Sequence, residues 1–278
     1  MTPVDSSATI AVARWNDADG SAIYLPGEPG LAQVILPPVL DDSVPAPARA
    51  QLPPSAAPAS IDLFAPVGKL ATIAVGPYAV ATQPTVGDGC DAWPLVPLRD
   101  TATVPHDRWR LALQAGLAEA MRADSIGGMA ASDSAALVVD LNKAVARLPI
   151  DSSGVLRRVP FGVSKAYRFR LADGTEVVLA VVERRLNVEA SPRVERTTVL
   201  LERPSGTKLL APAWHERQFT SEDDLIAVDL LAAVTFRGES RPTVFLRHDF
   251  GDGSRVHMLQ RTPDGRWSLR WASAYTGC

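Results

Sequence analysis

The sequence predicts a β-rich α+β protein, and three observations carry that expectation. From Lys165 to Cys278 the chain alternates apolar and polar side chains in short runs, the period of half-buried strands. Glycine, proline and aspartate punctuate those runs, as in Asp173-Gly174, Pro204-Ser-Gly206 and Pro263-Asp-Gly265. One segment only, Asp133–Leu148, shows a sustained helical period. The expected arrangement is an antiparallel sheet over much of 160–278, a helix near 133–148 packed on it, and a smaller strand-rich amino-terminal region. The corresponding division is 1–154 and 155–278, either as two domains or as one continuous domain.

In the amino-terminal region Thr9–Arg14, Ala22–Leu25 and Ala32–Leu36 read as short strands. Residues 37–60 hold seven prolines and six alanines with no usable period, which suits an extended linker and cannot join a ladder. Strand patterns return at Ile61–Phe64, Leu70–Val75, Ala79–Thr82 and Trp109–Ala115; Leu117–Met121 reads as a short helical turn. In the helix, Leu137, Val138, Leu141, Val145 and Leu148 make one stripe, Ser132 or Asp133 is placed to cap it, and Pro149 ends it.

Beyond Pro160 the expected strands are Tyr167–Leu171, Glu176–Val182, Arg196–Leu201, Lys208–Leu210, Leu225–Phe236, Thr243–Arg247, Val256–Gln260 and Trp267–Trp271. Asp-Gly between the first two is a strong hairpin signal. In the last, alternation puts Trp267, Leu269 and Trp271 on one face.

Hydrophobic residues make up 46% of the 278 and charged ones 21%, the balance of a soluble globular chain rather than a disordered one. No apolar run reaches the roughly 18 residues that span a bilayer, and the first residues lack the basic and apolar regions of a signal peptide. The expected setting is extracytoplasmic (periplasm or exterior) if an export signal has been removed, and cytoplasmic otherwise. The net charge of −3 is uneven: residues 1–100 carry four basic and ten acidic groups, residues 155–278 nineteen and fifteen.

Two cysteines occur, Cys90 and Cys278, both in polar, turn-like surroundings. A bridge between them would close a long loop and stabilise by about 4–5 kcal/mol on the chain-entropy account. Its presence would point outside the cytoplasm.

No metal-ligand spacing, phosphate loop or nucleophile motif stands out. Asp249-x-x-Asp252-Gly253 has too few local oxygens for a calcium loop and fits a hairpin turn better. Trp214-His-Glu-Arg217 lacks the second histidine of a zinc-protease helix. Cofactors and metals are accordingly expected to be none. A hydrolase would have to assemble its site from dispersed residues, with His215, Glu216, His248, Asp249 and Asp252 the first candidates. A third reading is a module for an anionic polymer using Arg157, Arg158, Arg168, Arg170, Arg184 and Arg185. Glu183, Glu189, Glu195 and Glu202 interrupt that positive field, so cross-strand ion pairs are favoured and nucleic acid disfavoured. Trp93, Trp109, Trp214, Trp267 and Trp271 suit a core better than a ligand groove.

The stretches Arg241-Pro-Thr-Val, His248-Asp-Phe-Gly-Asp-Gly253, Asp264-Gly-Arg-Trp267 and Trp271-Ala-Ser-Ala-Tyr-Thr-Gly-Cys278 resemble the carboxy-terminal part of bacterial exported proteins and lipoproteins with a degenerate FG-GAP or VCBS-like β-unit. The likeness spans about Leu225 to Cys278. Where a full unit carries its calcium loop, this chain reads Asp229-Leu-Leu-Ala-Ala-Val. The resemblance implies an extracytoplasmic setting and no established activity. The β scaffold, the possible Cys90–Cys278 bridge and the lack of a coherent catalytic set lead to the expectation of a non-enzymatic structural or binding protein of the cell envelope or exterior.

Overall fold

The structure, a computed structural model, describes residues 22–35, 58–77, 95–99, 104–149, 156, 159–186, 193–222, 224–239, 241–273 and 275–277. The expected strands Thr9–Arg14 and Ala79–Thr82, most of the proline-rich stretch, Cys90, Cys278, Arg157 and Arg158 lie outside these residues. The chain divides into two compact units, the first being Met1–Ala120, Asp229–Gln260 and Leu269–Cys278, the second Met121–Val228 and Arg261–Ser268.

In the first unit one sheet has the order β4-β3-β6-β1-β2-β5. Its strands are β1 (Ile23–Pro26), β2 (Leu31–Ile35), β3 (Ser60–Ala65), β4 (Gly68–Ala74), β5 (Leu95–Pro97) and β6 (Leu111–Gln114). A second sheet has the order β16-β15-β14-β13-β7, from β7 (Ala118–Ala120), β13 (Ala227–Phe236), β14 (Pro242–Asp249), β15 (Gly253–Arg261) and β16 (Trp267–Ala272). The short β17 (Thr276–Gly277) also pairs with β15.

Strand alternation builds the core between these two sheets. Ile23, Leu25, Leu111 and Leu113 point to one face and join Leu231, Val234, Phe236, Phe245, Val256, Met258 and Trp271. Phe236 and Phe245 meet edge to face with centroids 6.2 Å apart, a contact worth about 0.5–1.5 kcal/mol beyond its buried area. Tyr24 and Ala112, one residue out of phase, join Ile61, Leu63 and Trp109 on the other face of the first sheet. Asp62 on β3 is buried among apolar neighbours, yet its carboxylate accepts from Thr72 Oγ1 at 2.6 Å and the Gly116 N–H at 2.9 Å, and Lys69 Nζ lies 2.7 Å away.

The expected boundary near 154/155 groups 229–260 with the carboxy-terminal part. Those residues cluster instead with the amino-terminal strands, because the apolar faces of β13–β15 are covered by β1 and β6. The ladder of 160–278 is therefore two sheets, not one.

The second unit holds an antiparallel sheet, β12-β11-β10-β9-β8, from β8 (Asp124–Ser125), β9 (Gly162–Arg170), β10 (Glu176–Leu186), β11 (Arg193–Arg203) and β12 (Ala211–Thr220). In the β9–β10 hairpin Gly174 takes φ +82°, which a side chain would resist, and Asp173 Oδ1 accepts the Thr175 N–H at 2.8 Å. The helix α1 (Ala131–Val145) lays Leu137, Leu141, Ala144 and Val145 on Ala166, Val178, Ala180, Val182, Val199 and Leu201. This is the packing that its stripe predicts.

Some local expectations are corrected. The helix begins at Ala131 behind Ala130, with no side-chain cap, and Ser132 and Asp133 sit inside its first turn. Leu117–Met121 is not a helical turn: Ala118–Ala120 pairs with Val234–Phe236. Lys208–Leu210 does not pair; Leu210 turns into the helix core instead, and the partner of β11 starts at Ala211. Leu269 is about half exposed between the buried Trp267 and Trp271.

Candidate functional site

Strand alternation splits two consecutive pairs among the residues that sequence reasoning nominates for catalysis. His215 and Glu216 are consecutive on β12 in the second unit and so face opposite sides of their sheet. His248 and Asp249 stand in the same relation at the end of β14 in the first unit.

Asp249 and Asp252 instead shape the β14–β15 turn. Asp249 Oδ1 accepts the Gly251 N–H at 2.9 Å, and Asp249 lies 3.6 Å from Arg247. Asp252 accepts a hydrogen bond from the Tyr275 hydroxyl, and that charged partner pushes the phenol up to about 12. The Tyr275 ring in turn packs edge to face on Phe250, 5.7 Å away.

Two of the four described arginines proposed for an anionic polymer carry carboxylate partners. Arg184 donates to buried Glu195, while Arg185 contacts both Glu183 and Glu222. Arg168 stands opposite Asp124 in register, and Arg170 opposite Glu176. Two further arginines of the same stretch are also paired: Arg196 lies 2.7 Å from Glu183, and Arg203 2.6 Å from Asp140. Burial raises the Glu183 carboxyl, but Arg185 and Arg196 outweigh it and hold the group below the usual carboxylate range. The interleaved glutamates neutralise the stretch where it lies.

The structure brings a different set together. At one end of the first unit the two sheets leave an open cleft of about 300 Å³. Leu25, Pro26 and Gln33 line it from β1 and β2; Leu231, Arg247 and Ser254 come from β13, β14 and β15. His106, Asp107 and Arg110, from the segment leading into β6, complete it. The Arg108 N–H donates to the Pro105 carbonyl at 3.0 Å, and the Arg110 N–H to the Phe64 carbonyl at 2.8 Å, which fixes that segment against β3.

Alternation explains why polar groups line an otherwise oily space. Phe245 faces the core, so Arg247, two residues on, faces the same way at the rim. Gln33 continues the series that ends at buried Ile35. Among the described residues neither His106 nor Arg110 has an ion-pair partner, and both are exposed. The cleft thus presents two guanidinium groups and an imidazole beside the apolar Leu25, Pro26 and Leu231, with Asp107 in its lining and Asp249 3.6 Å from Arg247. Such an arrangement offers the N–H donors that recognise carboxylate or phosphate oxygens.

The candidates read from the sequence do not include Arg110, Arg247 or Gln33. The available signal was a charged or amide side chain at an inward position of an alternating strand. Of the tryptophans, Trp109, Trp267 and Trp271 are core residues, and Trp93 lies outside the described residues. Comparisons with protein-family models, with curated proteins and with solved structures gave no match.

Proposed function

We propose that the protein is a non-catalytic binding protein whose ligand is a small anion held in the cleft of the first unit. The observation that carries this reading is the pair Arg110 and Arg247 on one opening of about 300 Å³, a size that suits a small molecule. Guanidinium groups recognise carboxylate and phosphate oxygens through paired N–H donors, and the apolar floor of Leu25, Pro26 and Leu231 would bury the rest of the ligand. The hydrolase reading has less support, since His215 and Glu216 face opposite sides of their strand, as do His248 and Asp249, and Asp249 and Asp252 are engaged in the β14–β15 turn. The polymer reading has less support because Arg184 and Arg185 are engaged by carboxylates.

The working environment proposed is extracytoplasmic. Its support is the resemblance of the carboxy-terminal stretches to exported β-units and the paired count of cysteines.

Calorimetric titration with citrate and inorganic phosphate, with glucose as a neutral control, tests the reading. Anion binding that drops in Arg110→Ala and Arg247→Ala supports it. Equal response to glucose, or binding indifferent to both substitutions, overturns it.

A further inference from the structure

We propose that His248 and His257 form a binding site for a divalent transition-metal ion of the zinc or copper class. The pair lies within the first unit and apart from the cleft: Arg247 points toward the core while His248, its neighbour, points to the other face of the sheet.

Register creates the pair. Leu246 stands opposite His257 and His248 opposite Arg255 in the β14–β15 ladder, so the two histidines are diagonal neighbours on one face. Their ring centroids are 3.8 Å apart with planes tilted by 35°, closer than the roughly 4.5–7 Å of ordinary aromatic pairs. A ring nitrogen of each lies within 4.8 Å of one on the other. Two nitrogens on one zinc ion, each about 2.0–2.1 Å from it, are separated by roughly 3.3 Å, so a modest ring rotation brings these within bonding reach. The backbones beneath are continuously paired from Thr243–Gln260 to Asp249–Ser254, which holds the Cβ positions in place without a metal.

The chemistry selects the ion. Imidazole nitrogen suits zinc, copper and nickel, whereas calcium and magnesium require oxygen shells. His248 is almost completely buried, so its ring is held in place by the surrounding packing. Eight residues separate the two histidines in sequence, a spacing that belongs to no metal motif; only the hairpin register makes them adjacent.

Calorimetric titration of the full chain with zinc chloride tests the site, with His257→Ala and His257→Gln as the site variants and His106→Ala and His215→Ala as comparators. The expected result is one zinc ion per chain and at least about tenfold weaker binding in both His257 variants. The comparators should match the parent, and calcium chloride should give no uptake at this site. Affinity should also fall as the pH is lowered, since protons compete with the metal for imidazole nitrogen. Copper(II) added to the parent should show nitrogen coupling in its paramagnetic resonance spectrum, which His257→Gln should diminish. Circular dichroism establishes that the variants are folded. No zinc uptake by the parent, or uptake that persists unchanged in folded His257→Ala and His257→Gln, overturns the proposal; loss only in His106→Ala or His215→Ala would do the same.

Discussion

Arg184 and Glu195 stand directly opposite each other in the β10–β11 ladder, and the arginine Nε and Nη2 both donate to the same carboxylate oxygen, at 3.1 and 2.8 Å. Both side chains are buried, at 6% and 1% exposure. Arg184 Nη1 also reaches the Leu156 carbonyl at 2.9 Å, its guanidinium lies 4.6 Å from the centre of the Phe161 ring, and Arg217 Nε approaches the second Glu195 oxygen at 3.3 Å. Removing the carboxylate leaves arginine buried without its counter-charge. Glu195→Ala should therefore cost about 3–5 kcal/mol in urea unfolding. The double change Arg184→Met with Glu195→Leu should cost distinctly less, because no unmatched Arg184 charge remains; equal losses would remove this account.

Glu202 is held on the same strand by two kinds of donor. Arg261 meets its oxygens at 2.7 and 3.0 Å, and the Trp267 indole N–H donates to Oε1 at 2.7 Å. Trp267→Phe retains an aromatic ring but lacks that donor to a charged group. It should lose about 1.5–3 kcal/mol of stability, measurable in the same denaturant series. A loss near zero would show that the indole N–H contributes only shape.

Asp62 makes stability depend on acid. Burial raises its carboxyl, but the Gly116 N–H, Lys69 and Thr72 prevail and hold it below the ordinary value of 3.8. The unfolded chain then takes up this proton first as pH falls. The contribution is complete above roughly pH 4 and disappears as pH drops through the lower folded value. Asp62→Asn should flatten the acid limb of the stability curve below about pH 4 relative to the parent. An unchanged acid limb would remove Asp62 as a cause.

In the cleft, Arg247→Ala should weaken a bound anion by about tenfold, or about 1.4 kcal/mol, with the smaller effect at high salt. Arg185→Ala, whose side chain is engaged by Glu183 and Glu222, should leave that affinity unchanged. A reversed order of effects would move the anion site to the second unit.

Thiol titration of the non-reduced chain should find no reactive sulfhydryl if Cys90 and Cys278 bond to each other, as the extracytoplasmic reading expects. Two titrating thiols under oxidising conditions would count against both.

The legible parts of the fold were those decided locally. Asp173-Gly174 specifies its own turn by a side-chain hydrogen bond and a positive φ, and the stripe of Leu137, Leu141 and Val145 specifies its own buried face. Ala118–Ala120 was misread because nothing within three residues reveals that Val234–Phe236 will pair with it. Lys208–Leu210 failed for a related reason: Leu210 has an apolar partner in the helix layer, which no strand pattern can express. The cleft was hidden more thoroughly. Its Arg110 and Arg247 are 137 positions apart, and only the pairing of whole sheets makes them neighbours.

The split composition of the first unit dictates an order of assembly. During synthesis Ile23, Leu25, Leu111 and Leu113 emerge more than a hundred residues before Leu231, Phe245 and Met258, which cover them. The intervening 121–228 carries the helix and sheet that seal each other, so most of that insert can collapse while the early strands still await their lid. A chain arrested near residue 228 would display an uncovered oily sheet, the state in which aggregation or chaperone capture is most to be expected.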